Sequence, residues 1–177
     1  MLGLGLKTNT VLLVPYDKQW HTFFEKAKTE LTPIFGENLT AIEHIGSTAI
    51  SVPGIVAKPI LDVNITVRDV DAIPIAEMEK HGYVYKGDFG IPGRFFFVRY
   101  INGDVGIHHI HCYIDGHQNH LDNLMFRDYL MSHPDYALQY GELKKRLAAE
   151  YPYNRESYTN AKSDFVRKVL ELARGEV

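Results

Sequence analysis

Residues 58–67 predict a β-strand and specify which of its two faces is buried. Apolar side chains occupy every second position, and a period of two places them on one face of a strand. These core-facing residues are Leu61, Val63, Ile65 and Val67. The opposite face carries Lys58, Ile60, Asp62 and Asn64. We therefore expect the first set to be buried, while Asp62 and Asn64 reach solvent or a cleft.

The rest of the chain predicts an α+β domain in which helices pack against a mixed sheet. Helical patterns cover Trp20–Leu31 (with Asp17 as its cap and Pro33 and Gly36 at its end), 71–81, 120–131, 134–150 and 159–174. Strand patterns cover 40–45, 94–101 and 107–114, and Asn102-Gly103 is suited to the hairpin turn between the last two. Residues 1–10 are expected to be a loose lead-in.

Length and charge limit the classes of protein and of partner. The chain has 177 residues, enough for one domain, 1–177, with a sizeable core. Its formal net charge is −3 and its basic residues are scattered, which argues against a nucleic-acid partner. The single cysteine, Cys112, excludes an intrachain disulfide. No segment has the length of a signal sequence or a membrane span, so we expect a cytoplasmic protein without a membrane partner.

A Gly-Ser turn followed by a strand aspartate is the pattern that carries most chemistry. Gly46 and Ser47 follow the strand 40–45, and Asp62 lies on the polar face of the next strand. A glycine lets backbone N–H groups approach a phosphate, and a serine hydroxyl adds a donor. A carboxylate opposite such a turn is suited to Mg²⁺, which bridges nucleotide phosphates. The alternative is an ordinary strand–turn–strand hairpin with a surface aspartate.

Several segments of the chain resemble, in order, the GrpB family of the nucleotidyltransferase superfamily. The segments are VPYDKQW, EHIGSTAI, VPGIVAKPILDV, PGRFFFV, HIHCYI, FRDYLMSHP and YTNAKSDFV, and the resemblance runs from about Val14 to Leu172. It implies a nucleotidyltransferase-like mixed β-sheet with flanking helices and a helical C-terminal part. Members of the family are mostly of unestablished activity, and related domains are also fused to a dephospho-coenzyme A kinase.

The resemblance also implies roles for individual residues. Gly46 and Ser47, with Thr48 beside them, take the position of the phosphate-binding turn. Asp62 takes the position of the catalytic metal carboxylate. The second carboxylate position of the superfamily holds Asn64, which is a weaker Mg²⁺ ligand. The third would fall on the strand 107–114, which carries histidines instead.

Those histidines are a second candidate site. A period of two puts His109 and His111 on one strand face and His108 on the other. His-x-His could ligate a metal together with Asp62, contact phosphate, act in acid–base chemistry, or serve as hydrogen-bonded structural groups.

Two cations complete the predicted phosphate site. Lys58, on the predicted strand face of Asp62, could meet a phosphate, and Arg94 follows a Pro-Gly turn and could bind one through both of its terminal nitrogens. Each could equally be a surface charge. Lys162 could pair with substrate or with a carboxylate such as Glu156.

Three functions remain open at this point. The first is transfer of a nucleotidyl group, with a divalent metal, Mg²⁺ or Mn²⁺ in preference to Zn²⁺. The second is a non-catalytic module that binds a nucleotide or a phosphorylated metabolite. The third is a metal-dependent hydrolase centred on His109 and His111. The expected partner is a small molecule, and a homodimer stays open.

Overall fold

A six-stranded mixed sheet forms the centre of the molecule. A computed structural model describes residues 3–176. The sheet follows the order β3-β5-β8-β7-β6, with β1 pairing with β8, and β2 and β4 form a separate two-stranded ribbon. The strands are β1 Leu6–Lys7, β2 Val14–Pro15, β3 Leu39–Ile45, β4 Val56–Ala57, β5 Leu61–Val67, β6 Tyr83–Tyr85, β7 Phe95–Ile101 and β8 Val105–Ile114. β5 and β8 run parallel and the other pairs antiparallel, which confirms the predicted α+β class.

Helices cover both faces of this sheet. They are α1 Gln19–Phe35, α2 Ile75–Lys80, α3 Gln118–Ser132, α4 Pro134–Glu150, α5 Arg155–Asn160 and α6 Ser163–Gly175. Among the described residues, no helix has the length and apolar character needed to cross a membrane.

The alternation in β5 gives the fold its main core. Leu61, Val63 and Ile65 are fully buried, as predicted, and they pack in one cluster with Trp20 and Leu31 of α1. A second cluster joins the loop after β3 to the C-terminal helices. Its fully buried members are Ile50, Ile55, Leu130, Ala137 and Val169. This second core holds α4 against the loop that follows the Gly-Ser turn.

Three predicted elements differ from the observed ones. Leu6–Lys7 pairs with β8, so this part of the expected lead-in is ordered, while residues 1 and 2 lie outside the described range. The helix expected over 159–174 is two helices, because Ala161-Lys162 forms a turn between α5 and α6. The helix expected over 71–81 is limited to Ile75–Lys80.

Of the two residues predicted to end helix α1, Pro33 lies within its last turn, and the helix continues to Phe35. A proline in the last turn removes one donor and leaves the turns before it intact. The helix ends at Gly36, whose φ of 53° is readily adopted by glycine.

Candidate functional site

Asp62 lies at the start of β5 and is contacted by two histidines of the neighbouring strand. In the parallel register it pairs with His109, and His111 follows two residues later on the same face. Asp62 Oδ1 lies 3.2 Å from His109 Nδ1 and 3.5 Å from His111 Nε2. His108 lies on the other face and bonds to the hydroxyl of Tyr83, so the predicted division of the three histidines is confirmed.

A neighbouring arginine fixes the orientation of one of these rings. Arg94 is buried, and its guanidinium donates to the carbonyl oxygens of Asp88 and Phe89. Its third contact is with His111 Nδ1, at 3.3 Å. Because a guanidinium can only donate, His111 Nδ1 accepts, and a neutral ring then carries its proton on Nε2, facing Asp62.

The protonation states follow from burial and from these contacts. Burial alone would raise the pKa of Asp62, but hydrogen bonds and charge from His109 and His111 hold it well below its ordinary value. Burial lowers the pKa of His109, and the attraction of Asp62 only partly opposes that shift. The arrangement at neutral pH is therefore an ionised Asp62 that accepts a hydrogen bond from a neutral His109.

The Gly-Ser turn lies directly against this carboxylate. Gly46 has φ 68° and ψ −173°, a conformation almost exclusive to glycine. A Cβ on Gly46 would come within 2.7 Å of Asp62 Oδ2. The lack of a side chain at Gly46 is thus required both by the backbone and by the close approach of Asp62. Ser47 then begins a short 3₁₀ turn, Ser47–Ala49.

Helix α4 supplies the partners of Ser47. Lys144 is 1% exposed, and its Nζ lies 2.8 Å from Ser47 Oγ and also donates to the carbonyl oxygen of Val56. One turn earlier, burial raises the pKa of Tyr140, and a hydrogen bond with Ser47 opposes part of that rise. The hydrogen bond from Lys144 therefore ties one face of α4 to the serine of the turn.

Two further lysines flank the ring of Tyr158. Lys162 Nζ lies 4.6 Å and Lys58 Nζ 5.6 Å from the ring centroid. Burial lowers the pKa of Lys58 to about 7, helped by the charge of Lys162, and burial lowers that of Lys162 to about 8. The negative charge of Asp62 partly opposes both shifts, which places both lysines within its electrostatic reach.

We call the group formed by Ser47, Lys58, Asp62, Lys144 and Lys162 the cationic recess. Between Gly3 and Glu176, no salt bridge joins any of its three lysines to a carboxylate, although other lysines of the chain form such pairs. Buried or half-buried ammonium groups are costly when they lack an opposite charge. Their concentration around one carboxylate is the arrangement expected of a site for an anion.

Asn64, the other polar residue of β5, is closed off from the recess by α3. It is fully buried, so the prediction that it reaches solvent or a cleft is wrong. Its Oδ1 accepts from Asn123, and its Nδ2 lies 3.1 Å from His120 Nδ1. His120 Nε2 in turn lies 3.4 Å from Glu43 of β3. The amide fits this position because it donates on one side and accepts on the other.

The donors around Asp62 fit a metal ion poorly. In the described part of the chain, no group of three or more His, Cys, Asp or Glu side chains is arranged to hold a metal. If His111 ligated a metal through Nε2, the proton of its neutral ring would have to lie on Nδ1. Nδ1 already accepts a hydrogen bond from Arg94, so it cannot carry that proton. The predicted ligation by Asp62, His109 and His111 stays a prediction.

The predicted phosphate ligands differ in their positions. Ser47 lies in the recess and Gly46 borders it, but Thr48 is buried and bonds to His44 Nε2 at 2.8 Å. Lys58 lies before β5, which begins at Leu61, so the prediction that it shares a strand face with Asp62 is wrong. Lys58 still lies within electrostatic reach of Asp62. Arg94 is buried and commits its nitrogens to the 88–89 loop and His111, so it is not a free surface cation.

Sequence reasoning missed Lys144 and Arg155. Lys144 lies in one helical stripe of α4 that also contains Ala137, Tyr140 and Leu147, all of which are buried. A lysine within an apolar stripe is a signal that could have identified Lys144. Arg155 binds the carbonyl oxygens of Lys7 and Thr10 across the chain, and nothing local in the sequence predicts that contact.

The fold and the recess define a class: an α+β protein whose mixed sheet carries an ionised aspartate near three lysines that form no salt bridge among the described residues. Comparison with known families identifies the family to which the chain belongs. The family model described as GrpB protein matches residues 10–172. The chain therefore belongs to the GrpB family.

Individual relatives agree with this assignment. Glutamate-rich protein GrpB of Alkalihalophilus pseudofirmus is 34% identical, over 94% of this chain and 98% of its own. The crystal structure of conserved protein GrpB from Enterococcus faecalis superimposes with a TM-score of 0.84 at 35% identity, over 93% of this chain and 98% of that one. UPF0157 protein YqkA of Bacillus subtilis is 38% identical over 93% of this chain, but the match spans only 47% of YqkA.

Proposed function

We propose that this protein binds a phosphorylated small molecule, a nucleotide or a phosphorylated metabolite, in the cationic recess. The observation that carries the proposal is the set of three lysines, Lys58, Lys144 and Lys162, without a carboxylate partner in the described residues. A bound phosphate would supply the negative charge that these ammonium groups lack.

The Gly-Ser turn supports the same ligand. Gly46 leaves its peptide uncovered by a side chain, and Ser47 adds a hydroxyl at the edge of the recess. Backbone N–H groups in a turn of this kind form concave sites that favour anions. A ligand with several phosphate oxygens could contact the turn and the lysines together.

Ligand binding is expected to be coupled to proton uptake. Burial lowers the pKa of Lys58 to about 7 and that of Lys162 to about 8, so both are partly neutral at pH 8. A phosphate favours the ammonium form and raises both pKa values, so the complex takes up protons. Binding enthalpies measured at pH 8 in buffers of different ionisation enthalpy would report this uptake.

Nucleotidyl transfer with a divalent metal is the second candidate. The specific observation in its favour is that Asp62 stays ionised next to the Gly-Ser turn. An ionised carboxylate at that position could hold a cation that bridges the ligand phosphates. The buried amide of Asn64 favours binding without two-metal chemistry, because it contributes no second carboxylate.

The test is a thermal-shift panel followed by isothermal titration. The panel contains nucleoside mono-, di- and triphosphates, dephospho-coenzyme A, inorganic pyrophosphate and unphosphorylated nucleosides, each with Mg²⁺, Mn²⁺, Zn²⁺ or chelator. A ligand that binds only the folded state raises the melting temperature. We expect shifts from phosphorylated compounds alone, and equal shifts from the nucleosides would contradict the proposal.

A matched pair of lysine variants locates the binding. Lys162 and Lys168 each lie over a tyrosine ring, at 4.6 and 5.7 Å from its centroid, but only Lys162 belongs to the recess. We expect Lys162→Met to weaken phosphate binding about tenfold or more, and Lys168→Met to leave it unchanged. Equal effects of the two substitutions would remove the recess from the proposal.

A further inference from the structure

Lys144 occupies a position in α4 that normally holds an apolar residue. It is 1% exposed and lies between Tyr140 and Leu147 in the buried stripe of the helix. Burial lowers its pKa well below the ordinary value, and the charges of Lys162 and Lys58 add to the shift. Its nitrogen also lies 4.4 Å from the centroid of the Tyr140 ring. A group held at this cost to folding calls for a reason beyond packing.

The hydrogen bonds of Lys144 indicate what it does. Lys144 Nζ donates to Ser47 Oγ at 2.8 Å, so the hydroxyl oxygen of Ser47 is an acceptor in this bond. A hydroxyl that accepts from Lys144 has its own proton left for a second acceptor, which is the hydroxyl oxygen of Tyr140 when no ligand is bound and a phosphate oxygen when one is. The bond to the carbonyl oxygen of Val56 fixes the Lys144 nitrogen from a second side. The serine is then oriented as a donor, which is what a phosphate oxygen requires.

The packing of α4 lets a lysine reach the turn at this point. A Cβ on Gly141 would lie 3.2 Å from the carbonyl oxygen of Gly54, so the helix approaches the 51–55 loop at the position of a glycine. On the loop side, a Cβ on Gly54 would come within 2.5 Å of Leu138. This close contact sets the distance between the helix and the turn, and Lys144 follows Gly141 by three residues on the same helix.

We propose that Lys144 is a positioning residue for ligand binding, acting through Ser47 by holding its hydroxyl as a donor to phosphate. The inference rests on the proposed function, since it assigns a role within the same recess. It differs from a contact of Lys144 with the ligand, because the effect passes through the serine.

The experiment is a double-mutant cycle on inorganic pyrophosphate binding, measured by isothermal titration at pH 7. The proteins are wild type, Lys144→Met, Ser47→Ala and the double variant. Lys145→Met is the control, because Lys145 is the next residue, is exposed and pairs with Glu142. The melting temperature of each protein without ligand separates folding from binding.

We expect Lys144→Met and Ser47→Ala each to weaken pyrophosphate binding about tenfold. The double variant should bind pyrophosphate as tightly as the single variant with the lower affinity. Lys145→Met should bind like wild type. If the two losses of affinity multiply in the double variant, the two residues act independently and the inference is overturned. Wild-type affinity in Lys144→Met would also overturn it.

Two further outcomes are distinguishable. If Lys144→Met does not fold, the cycle is repeated with Lys144→Leu, which suits the apolar stripe and likewise removes the donor, and the same criterion applies. If wild type binds no pyrophosphate and no compound of the panel, the proposed function fails and this inference fails with it. Wild-type binding combined with full affinity in the Lys144 variant rejects the inference alone.

Discussion

Asp62 combines contacts that would otherwise conflict. Asp62 Oδ1 accepts hydrogen bonds from His109 and His111. Asp62 Oδ2 lies close to Gly46. The charge of Asp62 also acts on lysines that have no other carboxylate partner in the described chain. The carboxylate therefore lowers the electrostatic cost of holding Lys58 and Lys162 in the fold. It would also repel a phosphate unless a cation or the surrounding lysines outweigh it.

Replacing Asp62 with Asn tests whether the carboxylate serves a metal. The change keeps the shape and removes one negative charge from the recess. We expect phosphate affinity in chelator to tighten by up to about tenfold, because a repulsive charge is gone. Any gain in affinity from Mg²⁺ should disappear. Titrations of both proteins with Mg²⁺ and with chelator check this.

The free energy of unfolding should fall by about 1–2 kcal/mol in Asp62→Asn, since a charge-assisted contact with the histidines is lost. The same dependence on Mg²⁺ in both proteins would contradict a metal role for Asp62. A much larger loss of stability would instead assign Asp62 to bracing the Gly-Ser turn.

The local sequence was enough to identify the site residues whose positions are set by their neighbours in the chain. Gly46, Ser47 and Asp62 were predictable because a turn and a strand with a period of two place them without tertiary information. The position of Lys162 depends instead on the turn that separates α5 from α6, and that of Lys144 on the docking of α4. Those contacts join segments about a hundred residues apart, which pattern reasoning on one sequence does not reach.

At the scale of elements, β5 has two differently used faces. One face is the apolar core, and the other changes along its length from the recess at Asp62 to a buried amide network at Asn64. Periodicity predicts which residues share a face, but it does not predict which helix covers that face. Helix α3 covers Asn64 and leaves Asp62 half-buried.

Restoring a carboxylate at position 64 should therefore damage the fold instead of creating a metal site. Asn64→Asp removes the donor to His120 and puts a charge in a fully buried position. We expect a loss of about 2–4 kcal/mol in the free energy of unfolding, together with faster amide exchange in α3. Urea denaturation and hydrogen exchange measure the two effects.

Asn119→Asp is the matched control, since Asn119 lies in the first turn of α3, where a negative charge is favourable. It should cost nothing measurable. Wild-type stability in Asn64→Asp would show that this position tolerates a charge and that the amide network is dispensable.

At the scale of the whole molecule, stability should depend on pH through two buried histidines. Burial lowers the pKa of His44 and of His108 from 6.5 to about 4. The folded state therefore binds fewer protons than the unfolded state, and the stabilisation is complete above pH 6.5 and lost as the pH falls toward 4. Between pH 7 and pH 5 the loss should be about 2 kcal/mol for each histidine.

Urea unfolding at several pH values measures this dependence. His108→Gln should reduce the loss between pH 7 and pH 5 by about 2 kcal/mol, because His108 no longer contributes to it. A wild-type free energy of unfolding that stays constant over this range would contradict the assignment of neutral, buried rings.

The three parts of the recess come from distant segments: the turn after β3, the start of β5 and the C-terminal helices. The central claim is that they form one anion site, and the most direct test is to locate an anion there. Tungstate carries the shape and charge of a phosphate group and scatters X-rays anomalously. In crystals grown with tungstate, we expect an anomalous peak within hydrogen-bond distance of Ser47 Oγ and Lys162 Nζ. An empty recess, with tungstate bound only at other surfaces, would contradict it.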